Sequence, residues 1–113
     1  MAATSNASTK MTHRFLGDSG LLVSKLALGS WMDNNPNYTV DGWYEVVKTA
    51  YSHGINFYDT AESYDSGRAE ILLGGAIQKG IDEGLWTRED LVISTKLFVG
   101  TKGFFGSGPN AQG

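Results

Sequence analysis

At 113 residues, 41% hydrophobic and 19% charged, the chain has material for one modest core and at most one domain. Its nine Lys and Arg are scattered and outnumbered by twelve Asp and Glu, so the net charge of −3 gives no basic stripe for nucleic acid and points to small-molecule chemistry. With no cysteine and only His13 and His53, a disulfide framework and a thiolate or histidine metal site are excluded.

In chain order, residues 1–10, M-A-A-T-S-N-A-S-T-K, are small and polar and lack the apolar run of a secretory signal, so they read as a disordered tail. No stretch approaches the roughly 20 apolar residues of a membrane-spanning helix, and a cytoplasmic protein with no membrane insertion is the expectation. The acceptor patterns at Asn6 and Asn37 then read as chance matches. From Met11, T-H-R-F-L, the Gly17-Asp18-Ser19-Gly20 turn and L-L-V-S predict a hairpin. K-L-A-L-G-S follows as an apolar run without alternation, the pattern of a strand buried on both faces, ending at Gly29-Ser30-Trp31.

The proline-interrupted segment M-D-N-N-P-N-Y-T is a loop, and Thr39 or Asp41 can cap the next helix. Along that helix Trp43, Val46, Val47, Ala50 and Tyr51 form an apolar stripe, and Gly54 stands where a left-handed terminator belongs. A second strand is predicted over 55–59. A second helix starts near Gly67, with Ala69, Leu72, Leu73, Ala76 and Ile77 on one face, and a third strand spans 91–96. This alternation predicts right-handed βαβ units and a parallel sheet with helices covering both faces. His53 reads as a cation in the last turn of its helix rather than a ligand. Phe104 and Phe105, in a glycine-rich loop, suit a flap or a small anchor equally.

Two architectures accommodate these units, a doubly wound sheet or the start of a (β/α)₈ barrel. Neither G-x-G-x-x-G nor G-x-x-x-x-G-K-[ST] follows the first strand, which disfavours the nucleotide-binding sheet. In a barrel, residues at the carboxyl ends of strands converge at one face. Ser30, Asp59 and Lys96 hold such positions, with Tyr64 in the second loop. An acid, a phenol and an ammonium together are the parts of a proton-donating site. A free tyrosine, near pKa 10, is a weak acid, but a neighbouring ammonium favours the phenolate and a carboxylate can hold that ammonium in place. The competing reading makes Asp59 a turn cap, Tyr64 a surface residue, Lys96 a solvated strand end and Trp31 part of the core.

The hairpin with L-A-L-G-S-W, the block G-I-N-F-Y-D-T-A-E-S-Y, R-A-E-I-L-L-G and L-V-I-S-T-K together resemble an aldo-keto reductase, most closely the branch containing the voltage-gated potassium channel beta subunits. The resemblance implies a (β/α)₈ TIM barrel, with residues 11–113 as its amino-terminal part, truncated after about three βα units and inactive in isolation. It implies an NADPH-dependent oxidoreductase that reduces aldehydes and ketones by hydride transfer. Tyr64 would be the general acid, Lys96 its modulator, and Asp59 the partner of Lys96 and a neighbour of the nicotinamide ribose. Ser30 and Trp31 would meet the nicotinamide end of the cofactor, and Asn37 falls in the loop where channel-branch relatives often carry glutamine. A fourth catalytic position would lie on the next strand, beyond Gly113. The implied alternatives are a cofactor-binding, channel-beta-like regulatory protein, or an inactive piece of either. A homo-oligomer or a channel partner is implied for the longer form.

Overall fold

A computed structural model describes residues 10–98, 100 and 101; the tail over 1–9 and the Phe104-Phe105 pair lie outside the described residues. Strand β1, His13–Phe15, pairs antiparallel with β2, Leu22–Ser24, in the register His13 to Ser24 and Phe15 to Leu22. This is the expected hairpin. Gly17 and Gly20 take φ of 54° and 81° in its turn, which costs glycine little. Asn56 fastens the hairpin to the body: its Oδ1 accepts from the Ser24 N–H at 2.7 Å and its Nδ2 donates to the Leu22 carbonyl at 2.9 Å.

The next strand, β3, is only Leu28–Gly29. The expectation of a strand over 25–30 buried on both faces is corrected here, since Leu26 is 60% exposed and Ala27 is exposed as well. The Lys25 N–H donates to Thr12, so Lys25 extends the hairpin ladder and leaves a short remainder to enter the sheet. Helix α1, Val40–Ser52, is capped by Thr39, whose Oγ1 accepts from the Gly42 N–H at 3.0 Å. Its buried residues are Tyr44, Val47 and Ala50, whereas Val46, expected in the stripe, is exposed. With about 100° between successive residues, Val46 points about 100° away from Val47 and Tyr44 only about 60° away. Gly54 ends the helix at φ 92°, and a Cβ there would stand 2.7 Å from Met11.

Strand β4, Phe57–Asp59, lies between β3 and β5, Val92–Ser94, and pairs parallel with both. Gly29 faces Asp59 and Asp59 faces Ser94. The strands are shorter than the runs 55–59 and 91–96, because the Ile55 and Leu91 N–H groups close turns on Ala50 and Arg88. Helix α2, Arg68–Asp82, buries Ala69, Leu72, Leu73, Ala76 and Ile77 as its periodicity predicts, and Gly80 besides. Trp86 returns across Gly80 and donates its indole N–H to the Ile77 carbonyl at 2.9 Å.

Tyr58, fully buried, packs with Tyr44, Val47, Ala50, Leu73, Ala76, Ile77, Trp86 and Leu91 in one core cluster. Both helices therefore cover the same face of the sheet, the one to which Tyr58 points. The expectation of helices on both faces is corrected. Neighbours along β4 alternate sides, so Phe57 and Asp59 project to the opposite face. Strands in chain order with both helices on one side is the arrangement of a (β/α)₈ barrel, in which the second face is the interior.

Candidate active site

The register of the sheet assembles the site. Asp59 ends β4 directly opposite Ser94 on β5, and Ser94 Oγ donates to Asp59 Oδ1 at 2.5 Å. Two residues beyond Ser94, the chain brings Lys96 to the same carboxylate. Its Nζ donates to Asp59 at 3.1 Å and 3.0 Å, to the Thr60 carbonyl at 2.7 Å and to Tyr64 Oη at 3.2 Å. Carboxylate, ammonium and phenol thus form one continuous chain of hydrogen bonds.

The electrostatics follow from these contacts. Partial burial pushes the Asp59 carboxyl up, but hydrogen bonds from Ser94 and Lys96, with the charge of Lys96, outweigh it and hold the group below its ordinary value. The Asp59 hydrogen bond raises the pKa of Lys96 against an opposing desolvation, with Tyr64 adding to the rise. Both members of the pair are held in their charged forms, and the ammonium keeps its proton next to the phenolic oxygen.

Tyr64 sits on a turn that begins where the backbone is strained. Asp65 has φ 49° and Ser66 φ 54°, and Gly67 follows at 97°. Consecutive left-handed residues that are not glycine cost about 1–2 kcal/mol each. On the other side of the phenol, Trp31 stacks at 6.2 Å between ring centroids with 28° between planes. Trp31 is 83% exposed, so the core reading for it is excluded. Trp31, Ala61, Ser63, Tyr64, Lys96 and Phe98 line an open cleft of about 330 Å³ with two aromatic walls and the ammonium within it.

Ser30 is pinned at the rim of the sheet, its N–H donating to the Asp59 carbonyl at 3.0 Å. Its side chain is buried and its Oγ has no partner among the described residues. Asn37 is not brought to the cleft. It is exposed, its N–H donates to Asn35 Oδ1, and it borders a separate depression with Met32, Tyr38 and Trp43. His53 caps the end of α1, with Nδ1 at 2.9 Å from the Thr49 carbonyl, away from the cleft lining.

Sequence reasoning passed over three residues that shape this site. Ser94 lies two residues before Lys96, hence on the same face of the strand, and a period-two reading starting from Lys96 would have found it. Glu62 Oε2 accepts from the N–H groups of Phe98 and Gly100 and so ties the third loop to the second. Arg68 grips the first loop through contacts that no local spacing announces.

The profile of the aldo/keto reductase family matches residues 25–113. The chain belongs to that family. This aldo/keto reductase chain is 42% identical over 103 residues to a probable voltage-gated potassium channel subunit beta from Arabidopsis thaliana, a match covering 91% of the chain and 29% of the relative. Among solved structures, a proposed aldo-keto reductase from Pseudomonas aeruginosa is 36% identical with a TM-score of 0.59, covering 75% of this chain and 30% of that one. A thermostable aldo-keto reductase solved with the inhibitor epalrestat is 35% identical with a TM-score of 0.60, again covering 75% of this chain and 30% of that one. The aldo/keto reductase chain thus spans about three-tenths of the length of the relatives it matches. Its fold is that of the (β/α)₈ barrel, to which the described residues contribute the hairpin, three strands and two helices.

Proposed function

We propose that this chain carries part of the active site of an NADPH-dependent carbonyl reductase, with residues 11–113 forming the amino-terminal part of a longer barrel. The hydrogen-bond chain from Asp59 through Lys96 to Tyr64 is the observation that carries this reading. Reduction of an aldehyde or ketone leaves an alkoxide that must take up a proton. Tyr64 Oη, in the cleft, is the donor. Lys96, 3.2 Å from that oxygen, stabilises the phenolate left behind, and Asp59 keeps Lys96 charged and in place.

The cleft suits the nicotinamide end of a reduced dinucleotide, since the exposed Trp31 face offers a stacking surface and Asp59 an acceptor for a ribose hydroxyl. When bound, that cofactor supplies the hydride. Ser30, with an unpartnered buried hydroxyl beside the Asp59 carbonyl, borders the same region. Asn37, exposed beside a separate depression of the first loop, is given no part in this cleft. Substrates are small carbonyl compounds in a cytoplasmic setting. Because the chain spans only part of its relatives, turnover by the 113 residues alone is not expected.

A second reading, a cofactor-binding auxiliary subunit of a potassium channel, is favoured by the name of the Arabidopsis relative, and it shares the same cleft. In that reading the longer protein forms an oligomer on a channel partner.

Fluorescence titration of the chain with NADPH tests the cofactor assignment, with Trp31→Phe as control for Trp43 and Trp86. Saturable quenching that vanishes in the variant supports it. Quenching that persists in the variant, or none in a chain folded by circular dichroism, overturns it.

A further inference from the structure

One side chain outside the cleft joins its two aromatic parts. Arg68, the first residue of α2, extends across the first loop and donates from Nη1 to the Asn35 carbonyl at 2.7 Å and from Nη2 to the carbonyls of Pro36 and Tyr38 at 3.3 Å and 2.5 Å. Nη1 also donates to Asp65 Oδ2 at 3.1 Å, and the Asp65 side chain is only 9% exposed. One guanidinium therefore holds three carbonyls of the loop that carries Trp31 and the carboxylate of the turn that carries Tyr64.

Among the described residues, the first loop is organised internally but has few ties to the rest of the molecule. Tyr38 donates its hydroxyl to Asp33, the Tyr38 N–H reaches the Asn35 carbonyl, and the Asn37 N–H reaches Asn35 Oδ1. Its ends are fixed at Ser30, bonded to β4, and at Thr39, the cap of α1. Between those ends, among the described residues, Arg68 is the side chain that bonds it to the second loop. The second loop has its own need of an anchor, because Asp65 and Ser66 hold left-handed backbone directly after Tyr64. Pairing Asp65 with Arg68 supplies one.

We propose that Arg68 is a positioning residue that sets Trp31 over Tyr64 and so fixes the width of the cleft. The planar fork presents several donors at fixed angles, which an ammonium cannot match. What the cleft is used for rests on the carbonyl-reductase reading; the clamp itself does not.

The test is NMR of the 113-residue chain and its Arg68→Met and Arg68→Lys variants, observing contacts between aromatic rings. The Trp31 to Tyr64 contact reports the clamp, and the Tyr51 to Trp86 contact, 5.1 Å between centroids, reports the core. The expected result is loss of the first with retention of the second in Arg68→Met, and partial loss in Arg68→Lys. A roughly tenfold weakening of Trp31 quenching by NADPH accompanies it. A Trp31 to Tyr64 contact unchanged in both variants overturns the proposal, as does loss of core and cleft contacts together in both, which would make Arg68 a general folding residue. If the wild-type chain shows the ring contacts but no quenching, the cofactor reading fails and the ring contacts still decide the clamp.

Discussion

At the scale of single residues, the candidate site is governed by what surrounds one carboxylate. Asp59 accepts from Ser94 and from Lys96, and Lys96 owes its raised pKa first to Asp59. Asp59→Asn removes that cause, so the Lys96 ammonium titrates at lower pH in the variant than in the wild type. Nitrogen NMR of the Lys96 side chain reads this directly, and an unchanged midpoint would mean that the pair does not control the ammonium. A second prediction concerns the strained turn. The Ser66 side chain is exposed and its φ is 54°, so Ser66→Gly exchanges a left-handed penalty of about 1–2 kcal/mol for a somewhat smaller loss of chain entropy. Stability should rise by up to about 1 kcal/mol, as read from the urea midpoint. Asp59, Tyr64 and Lys96 were legible in the sequence because each lies at or shortly after a strand end, where barrel geometry converges. Arg68 was not, since its carbonyl partners come from a loop some thirty residues earlier and backbone acceptors leave no trace in residue type. Asn37 was placed by membership of a loop, and a loop can turn its residues to either side.

At the scale of elements, the buried stripe of α2 was readable because small and branched apolar residues recur there without competition from amphipathic ones. In α1 the competition decided otherwise. Tyr44 combines an apolar ring with a hydroxyl that donates to Glu83 at the end of α2, so it occupies the core side and Val46 does not. Strand lengths were overestimated for a related reason: apolar residues at strand ends were spent on turns and on the hairpin ladder. The contact between α2 and Trp86 gives the sharpest prediction at this scale. A Cβ on Gly80 would lie 2.0 Å from Trp86 Cζ2, and the indole is fixed by its bond to Ile77. Gly80→Ala is therefore expected to destabilise by about 3 kcal/mol despite the better helix propensity of alanine, as the indole is displaced from a packed site. Thermal melting followed through near-ultraviolet circular dichroism measures it; a neutral substitution would show that Trp86 has room to move.

At the scale of the whole molecule, shifted groups set the pH window in which the described unit is most stable. Hydrogen bonding to Glu83 and burial hold the Tyr44 phenol at about 12, and burial holds that of Tyr58 at about 12. A raised value contributes stability that is complete below the ordinary 10 and is lost as pH rises through about 12. Lys96 acts in the same direction, its contribution complete below 10.5 and lost above it. Asp59 acts at the other end: its lowered value contributes above 3.8, and the contribution disappears as pH falls further. Urea midpoints should therefore decline beyond pH 10 and again below 3.8. Tyr44→Phe should shallow the alkaline decline, and a midpoint constant from neutral pH to 12 would contradict the assignment of the two phenols.

The order β3, β4, β5 across the sheet is also the order in which a ribosome releases these segments. Closing a (β/α)₈ barrel sets the first strand beside the last, so one edge of β3 waits for a segment synthesised much later. Of the described strands, β4 and β5 each emerge after a neighbour they pair with, at translation rates of about 5–20 residues per second. The layer formed by Tyr58, α1 and α2 draws only on residues 40–82, so it can begin to close while β5 is still emerging. The paired residues still stand thirty to thirty-five positions apart, so each pairing closes a long loop through a helix, and such a sheet forms more slowly than a helical bundle does. Such a sheet is assembled by addition, strand after strand, with the parts of the cleft delivered in the same order.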